Sequence, residues 1–181
     1  MSVNITYFVH GTTNDNLNDV SSGWSDAELS QKGVRQSIDL RKQIKDKKFD
    51  VVFCSDLKRA VKSAEITFKD RVPIIKEWLL RECNYGDYNG MPSRIVEPIQ
   101  EKCITERFPN GESYEDVKLR MEIFLNELEK KYDGKNVAIV AHRAPQLALE
   151  VILKGKTWEE AFNQDWRKTK SWKPGWNYLL V

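Results

Sequence analysis

The chain has 181 residues, 40% apolar and 31% charged, with 29 Lys and Arg against 27 Asp and Glu for a formal net charge of +2. Such a length fits one hydrophobic core, so a single domain over 1–181 is expected, and the near balance of charge argues against a dedicated nucleic-acid or membrane binder. No basic-then-apolar leader opens the chain and no run approaches the ~20 apolar residues a bilayer demands, so a cytoplasmic protein is expected.

In chain order, VNITYFV (3–9) reads as a buried strand rich in β-branched and aromatic residues. Residues 10–29 read as a long polar loop. Ser30 is a good N-cap for a helix to about Lys47, with Val34, Ile38 and Ile44 at roughly helical spacing. FDVVFCS (49–55) is a second strand that turns directly into a helix over 55–68, capped by Ser55 or Asp56. VPII (72–75) is a short third strand, 76–92 is irregular, and a helix is expected over about 93–106. FPNGES is a turn, after which Ser113 caps a long helix to about Tyr132. NVAIVAH (136–142) is the fourth buried strand and PQLALEVIL is helical. A short helix near 158–166 and an edge strand, WNYLLV, close the chain. Continuous apolar strands alternating with helices predict an α/β fold with a mostly parallel central sheet.

In open α/β sheets, ligands bind at the carboxyl ends of the strands. His10 follows the first strand, Arg59 lies in the first turn of the helix after the second, and His142 follows the fourth. The chain has only two histidines, and both fall at that edge. A cation in the first turn of a helix opposes the macrodipole, a conflict that a bound anion would remove. Arg59 therefore either holds a phosphate-like anion or pairs with Asp56 or another nearby carboxylate. Cys54 and Arg59 are spaced C-x4-R without an intervening glycine, which does not suit a phosphate-wrapping cysteine loop. Cys54 is expected in the core. Cys54, Cys83 and Cys103 form no CxxC pair and fit free thiols better than disulfides or zinc ligands.

Several stretches carry a family likeness: YFVHGTTNDN, GWSDAELSQKG, CSDLKRAVKSAEI, LRECNYGDYNG, FPNGES and VAIVAH. In this order they resemble the histidine phosphatase superfamily, the branch that includes cofactor-dependent phosphoglycerate mutases and their phosphatase relatives. The likeness covers nearly the whole chain. It implies a three-layer α/β/α sandwich. It implies that His10 is the nucleophile that takes the phosphoryl group and that Glu82 is the general acid and base. It further implies that Arg59 and His142 contact the phosphoryl oxygens, and that Gly11, Thr13, Asn16 and Gly23 line the phosphate pocket. A neutral imidazole is a competent nucleophile near neutral pH, and phosphoryl transfer depends mostly on positioning and charge neutralisation, so no metal or cofactor is required.

One departure stands out. The family's opening motif is Arg-His-Gly, and here it is Val9-His10-Gly11. The arginine is either replaced by Val9 or dropped by a local shortening. Arg143 and Arg81 are candidates to restore its charge; the alternative for Arg143 is a solvent-facing side chain.

Three functions are then in play: a phosphatase acting on a small phosphorylated metabolite, a phosphoglycerate mutase, and a catalytically weak protein that binds a phosphorylated ligand or a protein partner. The segment between Gly90 and Phe108 is short, and the chain ends on a strand-like WNYLLV. Mutases are usually longer there and shield the phosphoenzyme, so hydrolysis is favoured. No nucleic-acid or membrane partner is expected, and oligomeric state is left open. DWRKTKSWKPGW (165–176) interleaves cations with Trp166, Trp172 and Trp176 and reads as a surface segment packed under the last strand or as a cover for the site. Tyr85, Tyr88 and Arg94 sit by position where substrate choice could lie.

Overall fold

The computed structural model describes residues 2–181. The first strand, β1 (Val3–Val9), is followed by a single helical turn, α1 (Asn14–Leu17), a short strand, β2 (Val20–Ser21), and α2 (Gln31–Gln43). Then come β3 (Val51–Cys54), α3 (Lys58–Phe68), β4 (Ile74–Lys76), β5 (Met91–Pro92) and α4 (Ser93–Val96). The C-terminal part contains α5 (Tyr114–Lys131), β6 (Asn136–Ala141), α6 (Arg143–Lys154), α7 (Trp158–Asn163), α8 (Trp166–Thr169) and β7 (Trp176–Leu180).

The central sheet has five strands in the order β4-β3-β6-β1-β7. The first four run parallel, and β7 closes one edge antiparallel to β1. Side chains alternate across a strand, so β1 feeds two cores. Val3, Ile5 and Tyr7 join one, under α5, α6 and α7, with Val137, Ile139, Tyr114, Met121 and Phe162. Phe8 joins the other, under α2 and α3, with Val52, Cys54, Ala64, Phe68 and Val140. The result is the mostly parallel sheet expected from the apolar runs, in the three-layer arrangement that the family resemblance implied. Cys54, Cys83 and Cys103 are buried free thiols. Among the described residues no helix is long and apolar enough to cross a membrane.

Local departures have local causes. The polar stretch 10–29 contains α1, closed by a reciprocal cap in which Thr13 Oγ1 accepts from Asn16 and the Asn16 side chain accepts from Thr13. It also contains β2, which pairs antiparallel with β5. The inner face of α2 is Gly33 and Ser37 rather than Val34 and Ile38, and Ile38 is exposed. The reason is a close approach: a Cβ on Gly33 would lie 2.2 Å from the Thr12 carbonyl oxygen. Leu57, not Ser55 or Asp56, is the N-cap of α3 and supplies no side-chain cap. Ser55 instead accepts from the Leu57 amide, and Asp56 is taken by an arginine. The expected helix over 93–106 breaks into α4 and two 3-10 turns, Glu97–Ile99 and Lys102–Ile104. Pro98 has no amide hydrogen to continue the helix. The helix near 158–166 is likewise two pieces, with Asp165 capping α8.

Candidate active site

The ladder between β1 and β6 runs without a gap from Asn4 opposite Asn136 to Val9 opposite Ala141. The His10 amide extends it by donating to the Ala141 carbonyl at 3.0 Å. Val9, the last residue of β1, directly precedes the histidine. Because β1 and β6 are neighbours, His10 and His142 emerge side by side, with ring centroids 5.1 Å apart.

His10 Nδ1 lies 2.7 Å from the Gly11 carbonyl oxygen. A carbonyl only accepts, so Nδ1 carries the hydrogen and Nε2 keeps its lone pair. Burial, reinforced by the positive charge of Arg59, pushes the His10 pKa down to about 3. The Gly11 amide donates to Ser63 Oγ at 3.0 Å. Gly11 must be glycine because a Cβ there would come within 2.6 Å of the Gly33 carbonyl oxygen.

His142 is fully buried, and neither ring nitrogen has a hydrogen-bond partner among the described residues. Tyr7 fixes its backbone: the phenol donates to the His142 carbonyl at 2.6 Å and accepts from the His142 amide at 3.0 Å. Burial, then the charges of Arg59 and His10, holds the His142 pKa well below the ordinary imidazole range. Unpartnered buried nitrogens are costly, and both of these are sealed from solvent.

Arg59 is 2% exposed and donates to the Ser25 carbonyl at 2.9 Å and the Gly23 carbonyl at 2.6 Å. The alternative pairing with Asp56 does not occur. Arg81 takes both Asp56 oxygens at 2.7 Å and stacks over Trp24, which also removes Arg81 as a substitute for the missing arginine. Neutral carbonyls orient Arg59 without cancelling its charge. Gly23 (φ +53°) shapes that carbonyl loop, and a Cβ there would overlap Asn89 Oδ1.

Glu82 Oε1 accepts from the amides of Cys83 and Ala144, both at 2.9 Å. Its carbonyl accepts from Trp24 Nε1 at 2.7 Å and Arg120 Nη2 at 2.9 Å. No hydrogen bond among the described residues occupies Glu82 Oε2. His10, Gly11, Asn16, Gly23, Arg59, Glu82 and Arg143 all line one cleft of about 1280 Å³. Thr13 and His142 do not: both are fully buried, Thr13 as the cap of α1.

Arg143 corrects two expectations. It is 7% exposed, so it does not face solvent. Its Nε donates to Asp165, and its Nη1 reaches Gln100 Oε1 at 3.1 Å and Tyr114 Oη at 3.4 Å. The cation acting on both histidines is Arg59, whereas Arg143 acts on Tyr114 and Tyr85. Arg143 is held by Asp165, Gln100 and Tyr114 in the wall of the same cleft.

Tyr85 and Arg94 line the cleft as expected by position, while Tyr88 packs on Phe108. Trp166, Arg167 and Trp172 also line the cleft, and Trp176 is buried in β7. Sequence reasoning missed Ser63, Tyr7, Arg120, Gln100 and Asp165. Ser63 was within reach of it, one helical turn beyond Arg59 on α3. The others act from distant elements with no local signal.

The comparisons agree with this geometry. The family model for the histidine phosphatase superfamily (branch 1) matches residues 7–175. The chain is 33% identical over 147 residues to "Uncharacterized phosphatase PhoE" of Bacillus subtilis (strain 168), covering 81% of this chain and 75% of that protein. It is 34% identical over 160 residues to a "2,3-bisphosphoglycerate-dependent phosphoglycerate mutase" of Cytophaga hutchinsonii, covering 79% and 75%. The crystal structure of the alpha-ribazole phosphatase from Shigella flexneri superposes with a TM-score of 0.78 at 26% identity, covering 90% of this chain and 84% of that one. The motif order, the paired histidines and the matched length together make this chain a member of the histidine phosphatase superfamily, branch 1.

Proposed function

We propose that the protein is a metal-independent phosphomonoesterase working through a phosphohistidine on His10. The observation that carries this reading is the His10–His142–Arg59 seat. One imidazole has its lone pair freed by the bond to Gly11, a second has two unpartnered nitrogens, and a buried guanidinium is held only by carbonyls. In the first step His10 Nε2 attacks phosphorus, the ester P–O bond breaks and Glu82 gives its proton to the leaving alcohol. In the second, water attacks the phosphohistidine while Glu82 takes the water's proton, and inorganic phosphate leaves. Arg59 and His142 bear on the transferring oxygens, where charge neutralisation matters most. A phosphate dianion beside His142 favours the charged ring and so turns it into a donor.

Val9 supports a slower variant of this chemistry. A missing charge-assisted contact is worth roughly 1.5–3 kcal/mol, about ten- to a hundred-fold in rate. Hydrolysis is preferred over mutase action because the roomy cleft lets water reach the intermediate.

The test is p-nitrophenyl phosphate hydrolysis in EDTA, with a rapid alkaline quench of the reaction with the 32P-labelled ester to trap phosphohistidine, which survives base but not acid. Activity and label that both vanish in His10→Ala establish the reading. Equal activity in the variant removes His10 as nucleophile.

A further inference from the structure

The cationic segment after Asp165 takes no part in the phosphate chemistry. Its two ends are anchored. Asp165 is 2% exposed and holds Arg143, and Trp166 packs against the core. At the other end Gly175 (φ +146°) lies so close to β1 that a Cβ would come within 3.0 Å of the Phe8 ring, and Trp176 is buried in β7. Between the anchors, residues 167–174 are all exposed. Their backbone amides bond locally: Arg167, Lys168 and Thr169 donate to Asp165, and Lys170 and Ser171 donate to the Trp166 carbonyl.

Among the described residues, every hydrogen bond from this segment to a distant element is an ion pair. Arg167 pairs with Glu97, and Lys168 Nζ reaches Glu101 Oε1 at 3.0 Å. The remaining outside contact of these cations is weak, with Lys168 Nζ 5.9 Å from the Phe162 ring centroid. A segment with few buried contacts and local hydrogen bonds opens at low cost. The paired side chains are between 43% and 63% exposed, so each pair is weak and salt screens it. Arg167 and Glu97 are 70 residues apart and both line the cleft, so their pair joins two separate stretches of its lining. Trp172 lines the cleft too and is 55% exposed, which puts it at the solvent-facing edge.

We propose that residues 167–174 form a flap over the cleft, clasped by the Arg167–Glu97 and Lys168–Glu101 pairs and hinged at Asp165 and Gly175, which opens when those charges are screened or removed. The closed state is held only lightly. Trp166 Nε1 is sealed without a partner among the described residues, and opening gives it water. The flap itself does not depend on the phosphomonoesterase reading; it rests on that reading only for what enters beneath it.

The test is limited trypsin digestion of the full chain, with mass spectrometry reading the cut after Lys170. Trypsin spares Lys173, because Pro174 follows it. At low salt the variant Glu97→Gln/Glu101→Gln is expected to be cut about fivefold faster than the natural protein, the scale of two exposed ion pairs. In about 0.5 M salt the two rates converge, because the clasp is screened. Inorganic phosphate binding, read by calorimetry at low salt, tightens in the variant by a similar factor, since a closed flap withholds the site. The exchanged variant Glu97→Arg/Arg167→Glu/Glu101→Lys/Lys168→Glu keeps the natural net charge and returns both readouts to the natural values. Thermal melts of all three proteins separate local from global opening. Equal cutting at low salt, a difference that survives high salt, faster cutting that follows a lowered melting temperature, unchanged phosphate affinity, or no recovery in the exchanged variant overturns the proposal. Cutting and phosphate binding as expected, with no p-nitrophenyl phosphate hydrolysis by any of the proteins, keep the flap and discard the esterase.

Discussion

The two ends of the cleft are built differently. At the phosphate seat, neighbouring strands deliver His10 and His142 in register, and backbone groups do the orienting: the Gly11 carbonyl for His10, the Gly23 and Ser25 carbonyls for Arg59. At the far wall, side chains from remote elements hold one another: Arg143 to Asp165, Arg167 to Glu97, Lys168 to Glu101. Backbone groups keep their geometry whatever the side chains around them become. Side-chain ion pairs depend on two residues each, so the wall is where one substitution changes what the cleft accepts.

That contrast is most sharply tested at Asp165. Asp165→Ala leaves Arg143 charged and buried without its partner, so unfolding free energy should fall by about 3–5 kcal/mol in denaturant titration. An unchanged midpoint would mean that the pair does not hold the wall. At the other end, Arg59→Met should lower kcat by roughly a hundred- to a thousand-fold, the scale for losing one charge-stabilising donor. A smaller loss in steady-state kinetics would move the phosphate away from α3. Val9→Arg restores the family's missing cation beside His10 and should raise kcat/KM by about tenfold. No gain would show that this side of the seat does not meet the phosphate.

The smallest effect concerns pH. Burial depresses the His142 pKa in the folded chain, whereas the unfolded chain titrates near the ordinary value of about 6.5. The unfolded state thus binds the extra proton first, so stability is fully present above about pH 6.5 and declines as pH falls below it. The slope from one such group is at most about 1.4 kcal/mol per pH unit. Denaturant midpoints between pH 7 and 5 should fall less in His142→Asn than in the natural protein, and equal slopes would mean that His142 is not the group responsible. The seat itself should show no acidic limb from His10 near neutrality, because its pKa is pushed down to about 3.

Much of the fold was legible. Four apolar runs read as strands and became the parallel sheet, because a strand buried on both faces must be continuously apolar. The edge strand expected from WNYLLV is present over 176–180, its side chains alternating between buried and exposed. Helix 93–106 was misjudged although Pro98 lay within it, whereas α2 and its Ser30 cap were read correctly and only its inner face, Gly33 and Ser37 rather than larger apolar residues, was not. Arg59 shows the limit for a single residue: its cationic place in a first turn raised the question of a partner, and only the folded loop at Gly23 and Ser25 answered it.

His10, Arg59, Glu82 and His142 could be picked out from residue type, place after a strand and family likeness. Those properties are local or carried by motif order, and a linear text records them. The exclusion of Asp56 from Arg59, the role of Thr13 as a cap rather than a pocket wall, and the seating of Arg143 on Asp165, Gln100 and Tyr114 were decided by tertiary structure alone. Each turns on which of several possible partners lies within hydrogen-bond reach. That distance is set by how separate helices and loops pack, and residues 22 or more apart in sequence, such as Arg143 and Asp165, carry no local trace of meeting.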